Sequence, residues 1–137
     1  MRKLSLRLKH LAQEHQAVMH FATAVRSAHA EDDRDLPEVV ERVRKVFQTD
    51  LEPHFAEEER YALPMLREAG RDDLADEVLA QHEAMRALER SLDTPSTETL
   101  VAIVQMLERH VEFEDGEVWD VLETALEAQE RAHLTLA

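Results

Sequence analysis

From Leu4 to Val25 the chain repeats an apolar residue or a histidine at alternating steps of four and three: Leu4, Leu8, Leu11, His15, Val18, Ala22 and Val25. That rhythm keeps one stripe on one side of an α-helix and forms the seam of a coiled bundle. A strand would scatter the same residues over both of its faces. Only 2 glycines and 4 prolines occur in 137 residues, which favours helix and leaves little turn chemistry for a β-rich fold. A chain of this length makes one domain with one core, spanning residues 1–137.

Three further stripes follow the first. A second helix is expected from about Leu36 to Glu68, with Asp35 as N-cap and Pro37 in the first turn, where no hydrogen bond is lost. Its inner stripe reads Val40, Val43, Phe47, Leu51, His54, Glu58, Tyr61 and Met65. Pro53 and Pro64 interrupt it, so a bend is expected at Pro53 and a weakened last turn around Pro64. Gly70 suits the position after the helix end. A third helix, from about Asp72 to Leu92, carries Leu74, Val78, His82, Met85 and then Leu88 or Glu89. Thr94 as N-cap and Pro95 as first helical residue open a fourth, running to about Arg131 with Leu100, Ile103, Leu107, His110, Glu114, Val118, Val121 and Ala125 inward. Short connections make neighbours antiparallel, so the expected architecture is all-α, an up-down-up-down four-helix bundle.

Polar residues stand at core positions of all four stripes. His54 and Glu58, and again His110 and Glu114, are four residues apart and so leave one helix face a turn apart. His15 and His82 each sit one helix earlier, in matching places of the two halves. Counting about 1.5 Å per residue from the turns brings all six to one level of the bundle, within about one helical turn. A lone histidine in an apolar stripe is commonly a hydrogen-bonded core residue, and a carboxylate could pair with a protonated imidazole. Four imidazoles and two carboxylates at one depth are better explained by transition-metal binding, because buried carboxylates are costly unless paired or bound to a cation.

Other chemistries find little support. The chain has no cysteine, which excludes disulfides and thiolate sites. Its formal charge is −14, and no basic patch extends beyond the short stretch from Met1 to Lys9, so neither nucleic acid nor an anionic membrane is an expected partner. No apolar run approaches a membrane span and no signal segment opens the chain, which makes the cytoplasm the default expectation. Phosphate loop, glycine fingerprint and nucleophile elbow are all missing.

The order His15, His54 with Glu58, His82, then His110 with Glu114 resembles the hemerythrin-like, cation-binding HHE domain. The text Pro53-His54-Phe55-Ala56-Glu57-Glu58-Glu59, followed by Leu63-Pro64, is especially similar, and the resemblance runs from residue 8 to about residue 125. It implies a non-heme di-iron centre in which Glu58 and Glu114 bridge, His15 and His54 hold one iron, and His82 and His110 hold the other. Manganese or another divalent metal also suits a carboxylate-rich set. The oxygen-carrying hemerythrins have five histidines, two of them on the third helix four residues apart. Here the positions four from His82 are Val78 and Arg86, neither able to donate a lone pair. Two histidines per iron leave both ions open, which argues against simple reversible oxygen carriage. The carriers also place the second bridging carboxylate five residues after the histidine, at Asp115 here. Glu114 is the expected bridge, and Asp115 would need a π-bulge that Gly116 permits.

Secondary roles are assigned more plainly. His20 points elsewhere, His29 lies far from the site, and His10 and His133 are solvated. Glu14, Glu57, Glu59 and Glu83 adjoin ligands and are surface charges or groups that orient an imidazole N–H. Tyr61 is read as a core aromatic or pocket wall, and Trp119 as packing. The leading functional expectation is binding of, or reaction with, O2 or a related diatomic such as NO. Two others stay open: an iron-handling or redox-signalling module acting through a protein partner, and a peroxide or NO reductase. Whether the chain is an enzyme, and whether it is a monomer or homodimer, stays open too.

Overall fold

The computed structural model describes the backbone of residues 6–31 and 36–136, with side chains described except at 6–8, 12, 27–31 and 132–136. The expected Asp35 cap and the placements of His29 and His133 lie outside the described residues. Four helices form an all-α bundle: α1 Leu6–Glu31, α2 36–68, α3 Asp72–Ser91 and α4 97–136. Ion pairs give their directions. Along α2 and α3 the pairs Arg44–Glu89, Glu52–Arg86 and Arg67–Asp76 run in opposite order, as do His15–Asp115 and Arg26–Glu108 along α1 and α4. Both couples are therefore antiparallel. Among the described residues no helix is long and apolar enough to cross a membrane.

The second and fourth helices are continuous through π-helical turns at Phe47–Leu51, Glu58–Ala62 and Glu114–Val118. In each, a backbone N–H reaches five residues back: Glu52 to Phe47, Leu63 to Glu58 and Trp119 to Glu114. Pro53 and Pro64 stand in the first positions of the α-helical segments that come after the first two turns. A proline cannot donate to the helical ladder and its ring crowds the carbonyl four residues back. The wider turn before it takes up both defects, so α2 passes through both prolines instead of ending at Pro64.

A π turn inserts one extra residue and rotates the helix beyond it. After the first, His54 and Glu58 stay inward as expected, whereas after the second and third the buried stripe is shifted by one position. Downstream of Glu58 the buried residues are Ala62, Leu63 and Leu66, while the expected Tyr61 and Met65 are half-buried. Downstream of Glu114, Val118, Trp119 and Leu122 are buried and Val121 and Ala125 are half-buried. Upstream, the stripes hold as expected: Leu11, Val18, Ala22 and Val25 on α1, and Val40, Val43, Phe47 and Leu51 on α2, are buried.

The helix ends differ in one place from expectation. The N-cap of α4 is Ser96, not Thr94, and Pro95 precedes the helix. Ser96 is extended (φ −152°, ψ 132°) and its hydroxyl accepts from the Thr99 N–H at 3.4 Å, whereas the Thr94 N–H closes the turn on the Ser91 carbonyl. Gly70 ends α2 as expected. At φ 77°, it lets its own N–H reach the Arg67 carbonyl and the Arg71 N–H reach the Leu66 carbonyl.

Two apolar clusters fill the interior. One gathers Val18, Phe47, Leu51, Phe55, Met85, Leu107 and Val111; the other gathers Leu11, Ala62, Leu66, Val78, Val118 and Leu122. On every helix a polar core residue falls between members of the two: His15 between Leu11 and Val18, Glu58 between Phe55 and Ala62, His82 between Val78 and Met85, and Glu114 between Val111 and Val118. The result is a polar belt across the middle of the bundle.

Candidate metal centre

All six residues singled out by spacing lie in this belt, and none is more than 3% exposed: His15, His54, Glu58, His82, His110 and Glu114. Their atoms converge. Glu58 Oε1 is 3.2 Å from His54 Nε2, 3.1 Å from His82 Nε2 and 3.3 Å from His110 Nε2. Glu114 Oε1 is 3.0 Å from His15 Nε2 and 2.7 Å from His110 Nε2. Donor atoms of His15, His54, Glu58, His110 and Glu114 all lie within 4.8 Å of one another; His82 stands beside this group, against Glu58. The closest imidazole pairs are His82–His110 at 4.9 Å and His15–His54 at 5.2 Å.

The outer nitrogen of every imidazole is held by an oxygen. His15 Nδ1 meets Asp115 at 3.2 Å, His54 Nδ1 meets Glu14 at 3.1 Å, His82 Nδ1 meets Glu59 at 2.7 Å and His110 Nδ1 meets Gln81 at 2.8 Å. Carboxylate and amide oxygens only accept, so each Nδ1 carries the proton and donates. That leaves each Nε2, when the ring is neutral, with a lone pair aimed at the centre. The four orienting residues obey one rule. Glu14 and Gln81, each just before the first histidine of its half, serve the histidine of the next helix. Glu59 and Asp115, each just after the inner glutamate, serve the first histidine of the opposite half. Of these, Gln81 is not singled out by spacing, although it precedes His82 as Glu14 precedes His15.

Asp115 is therefore no inner carboxylate. Its side chain is 55% exposed, and it accepts from both His15 and the Trp119 indole N–H, at 2.8 Å from the latter. The π turn that Asp115 would need does exist, but it begins at Glu114 and leaves Glu114 fully buried. Trp119 does more than pack, since its ring also lies 5.3 Å from that of His15. Glu83 pairs with Arg86, His20 is exposed, and His10 is largely solvated.

Hydrogen bonds alone do not satisfy the belt. His15 Nε2, His54 Nε2, Glu58 Oε2 and both Glu114 oxygens are buried without a hydrogen-bond partner; the short His15–Glu114 and His54–Glu58 approaches are out of line for one. Three imidazoles crowd a single oxygen of Glu58 while its other oxygen has none. Buried groups left in this state are rare in native proteins, and a cation placed among them would satisfy all of them. The donor set, imidazole nitrogen and carboxylate oxygen without sulfur, fits iron or manganese.

Without a cation, the electrostatics compensate by holding protons. Burial pulls the His54 imidazole down, but Glu58 first, then Glu14 and Glu114, outweigh it and raise it to about 9. His110 is pulled down by burial and raised to about 10 by Glu114 and Glu58. Burial pushes the Glu58 carboxyl up, yet the close polar contacts with Glu114, His110, His54 and His82 hold it well below the usual carboxylate range.

A family model described as the hemerythrin HHE cation binding domain matches residues 6–122. No curated protein and no solved structure matches the chain.

Proposed function

Because the chain belongs to the hemerythrin HHE cation-binding family, we propose that it is a non-heme di-iron protein that binds or reacts with O2 or a related diatomic such as NO. One observation carries the reading: four imidazoles with their outer nitrogens tied to oxygens turn their inner nitrogens onto two buried carboxylates, of whose four oxygens all but Glu58 Oε1 lack a hydrogen-bond partner. In this reading His15 and His54 hold one ion, His82 and His110 the other, and Glu58 and Glu114 serve both. Bound iron would supply the redox chemistry and the affinity for a diatomic molecule. The chain supplies orientation and dryness: Phe55, Met85 and Val111 on one side, and Leu11, Val78 and Val118 on the other, exclude water from the belt.

Arg86 favours reaction, sensing or iron handling over carriage. It stands at one of the two positions four residues from His82, with Val78 at the other, where a second histidine of the third helix would sit, and its guanidinium is tied to Glu52, Glu59 and Glu83. It offers a metal nothing, so each ion keeps only two histidines and the shared carboxylates. Purification without oxygen, metal counting, and near-ultraviolet spectra on admitting air test the reading. Two irons per chain and a rapid spectral change are expected; a stable, reversible oxygenated spectrum would restore the carrier, and loss of iron on oxidation would favour iron handling through a partner. Glu58→Ala and Glu114→Ala should each lower the metal content from two to one or none, with circular dichroism reporting the helices. Full occupancy in both variants would contradict the shared role of these carboxylates.

A further inference from the structure

We propose that the two halves of this centre are electrostatically unequal, and that Gln81 is the positioning residue that makes the His82–His110 half the weaker seat for a cation. The inference rests on the two-ion reading above. Both imidazoles of the first half have a carboxylate behind them, Asp115 for His15 and Glu14 for His54. A carboxylate on the outer N–H pushes electron density toward the inner nitrogen and makes it a better donor to a cation. In the second half, His110 has only the Gln81 amide, which carries no net charge. Its orientation is locked, since the Gln81 Nε2–H donates to Glu77 Oε1 at 3.1 Å and so keeps Oε1 on His110. Gln81 is 4% exposed, which leaves little room for water to take its place.

The other imidazole of that half is weakened as well. Glu59 Oε2 accepts from His82 Nδ1, but the same oxygen lies 2.9 Å from Arg86 Nη2. The arginine offsets the charge that Glu59 would otherwise lend to His82, and it also approaches the ring of Phe55, which stacks on His82 at 4.3 Å. On the outer nitrogens themselves the first half has two carboxylates, Asp115 and Glu14, and the second has one, Glu59, whose oxygen is shared with Arg86. Each half presents two histidines to the same two glutamates, so the difference in donor strength rests on this outer layer. The first ion to bind therefore occupies the His15–His54 half, and that half also favours the more highly charged ion.

Titrating the metal-free protein with Co(II) under argon, against a competing chelator and followed by visible absorption, reads the two affinities without relying on activity. The wild type is expected to bind two ions in steps at least about tenfold apart, the scale on which outer hydrogen-bond partners change metal affinity. Gln81→Glu, made together with Glu77→Gln to keep the orienting hydrogen bond, should bring the steps within about threefold. Glu77→Gln alone should leave them apart. Glu14→Gln should also narrow the gap, by weakening the stronger step. In the half-loaded protein, the paramagnetically shifted imidazole N–H signals should move in Glu14→Gln and stay in Gln81→Glu/Glu77→Gln. Two equal steps in the wild type, or a gap unchanged by the Gln81 variant, would overturn this inference alone. Uptake of fewer than two ions by the wild type would overturn the two-ion reading along with it.

Discussion

Protonated, His54 and His110 neutralise Glu58 and Glu114 in the metal-free belt, and this sets how metal binding depends on pH. Their imidazoles are raised from the ordinary 6.5 to about 9 and about 10 by the buried carboxylates beside them. A group raised in this way stabilises the folded state fully below its ordinary value and stops doing so as pH rises through its folded value. The metal-free protein should therefore lose stability progressively from about pH 6.5 to about pH 10, where the folded chain still holds protons that the unfolded chain has released. A metal ion must displace the same protons, so loading at neutral pH should release about two of them, and apparent affinity should fall as pH falls. Calorimetric titration in buffers of differing ionisation enthalpy measures the release; heats independent of the buffer would show that the imidazoles are already neutral. The six inner residues were legible as residues because a histidine or glutamate inside an apolar stripe is conspicuous. Gln81 was not, since an uncharged polar residue beside a ligand carries no signal until its partner is known.

The helices owe their register to the π turns, which allow α2 and α4 to hold a carboxylate at the belt and still bury an apolar stripe beyond it. Two of the three form without glycine, and a Cβ added at Gly116 would meet nothing within 4 Å. Gly116 is therefore not what permits the third turn. Gly116→Ala should raise stability in denaturant unfolding by about 1 kcal/mol, from helix propensity alone, with metal content unchanged. Gly70→Ala makes the contrast: at φ 77° a side chain is strained although space is free, so a loss of about 1–2 kcal/mol is expected. A stabilised Gly70 variant or a destabilised Gly116 variant would sink the distinction. The stripes could be read through the first π turn, with His54 and Glu58 inward, and slipped by one position after the second and third, at Tyr61 and Val121. Periodicity assumes an unbroken α-helical turn, and nothing local marks the added residue where proline is absent.

Across the whole molecule, a polar belt separates two apolar clusters, so the interior is least satisfied at its middle. Filling the belt should tie all four helices together. Any ion that binds the folded chain alone stabilises it by mass action, by about 4 kcal/mol at a thousandfold excess over its dissociation constant. Thermal scans with iron or manganese added and with a chelator should differ accordingly; identical melting would show that the belt holds no ion. The amino-acid sequence by itself determined the helical class, the approximate lengths of the four helices and the common level of the six inner groups, because those depend on 3.6-residue periodicity and on rise per residue. Only the tertiary structure decided which oxygen holds which imidazole, that Glu114 and not Asp115 faces inward, and that two carboxylates hold the imidazoles of one half while a carboxylate and an amide hold those of the other. These are contacts between helices, governed by packing across tens of residues of chain, and spacing along one helix does not encode them.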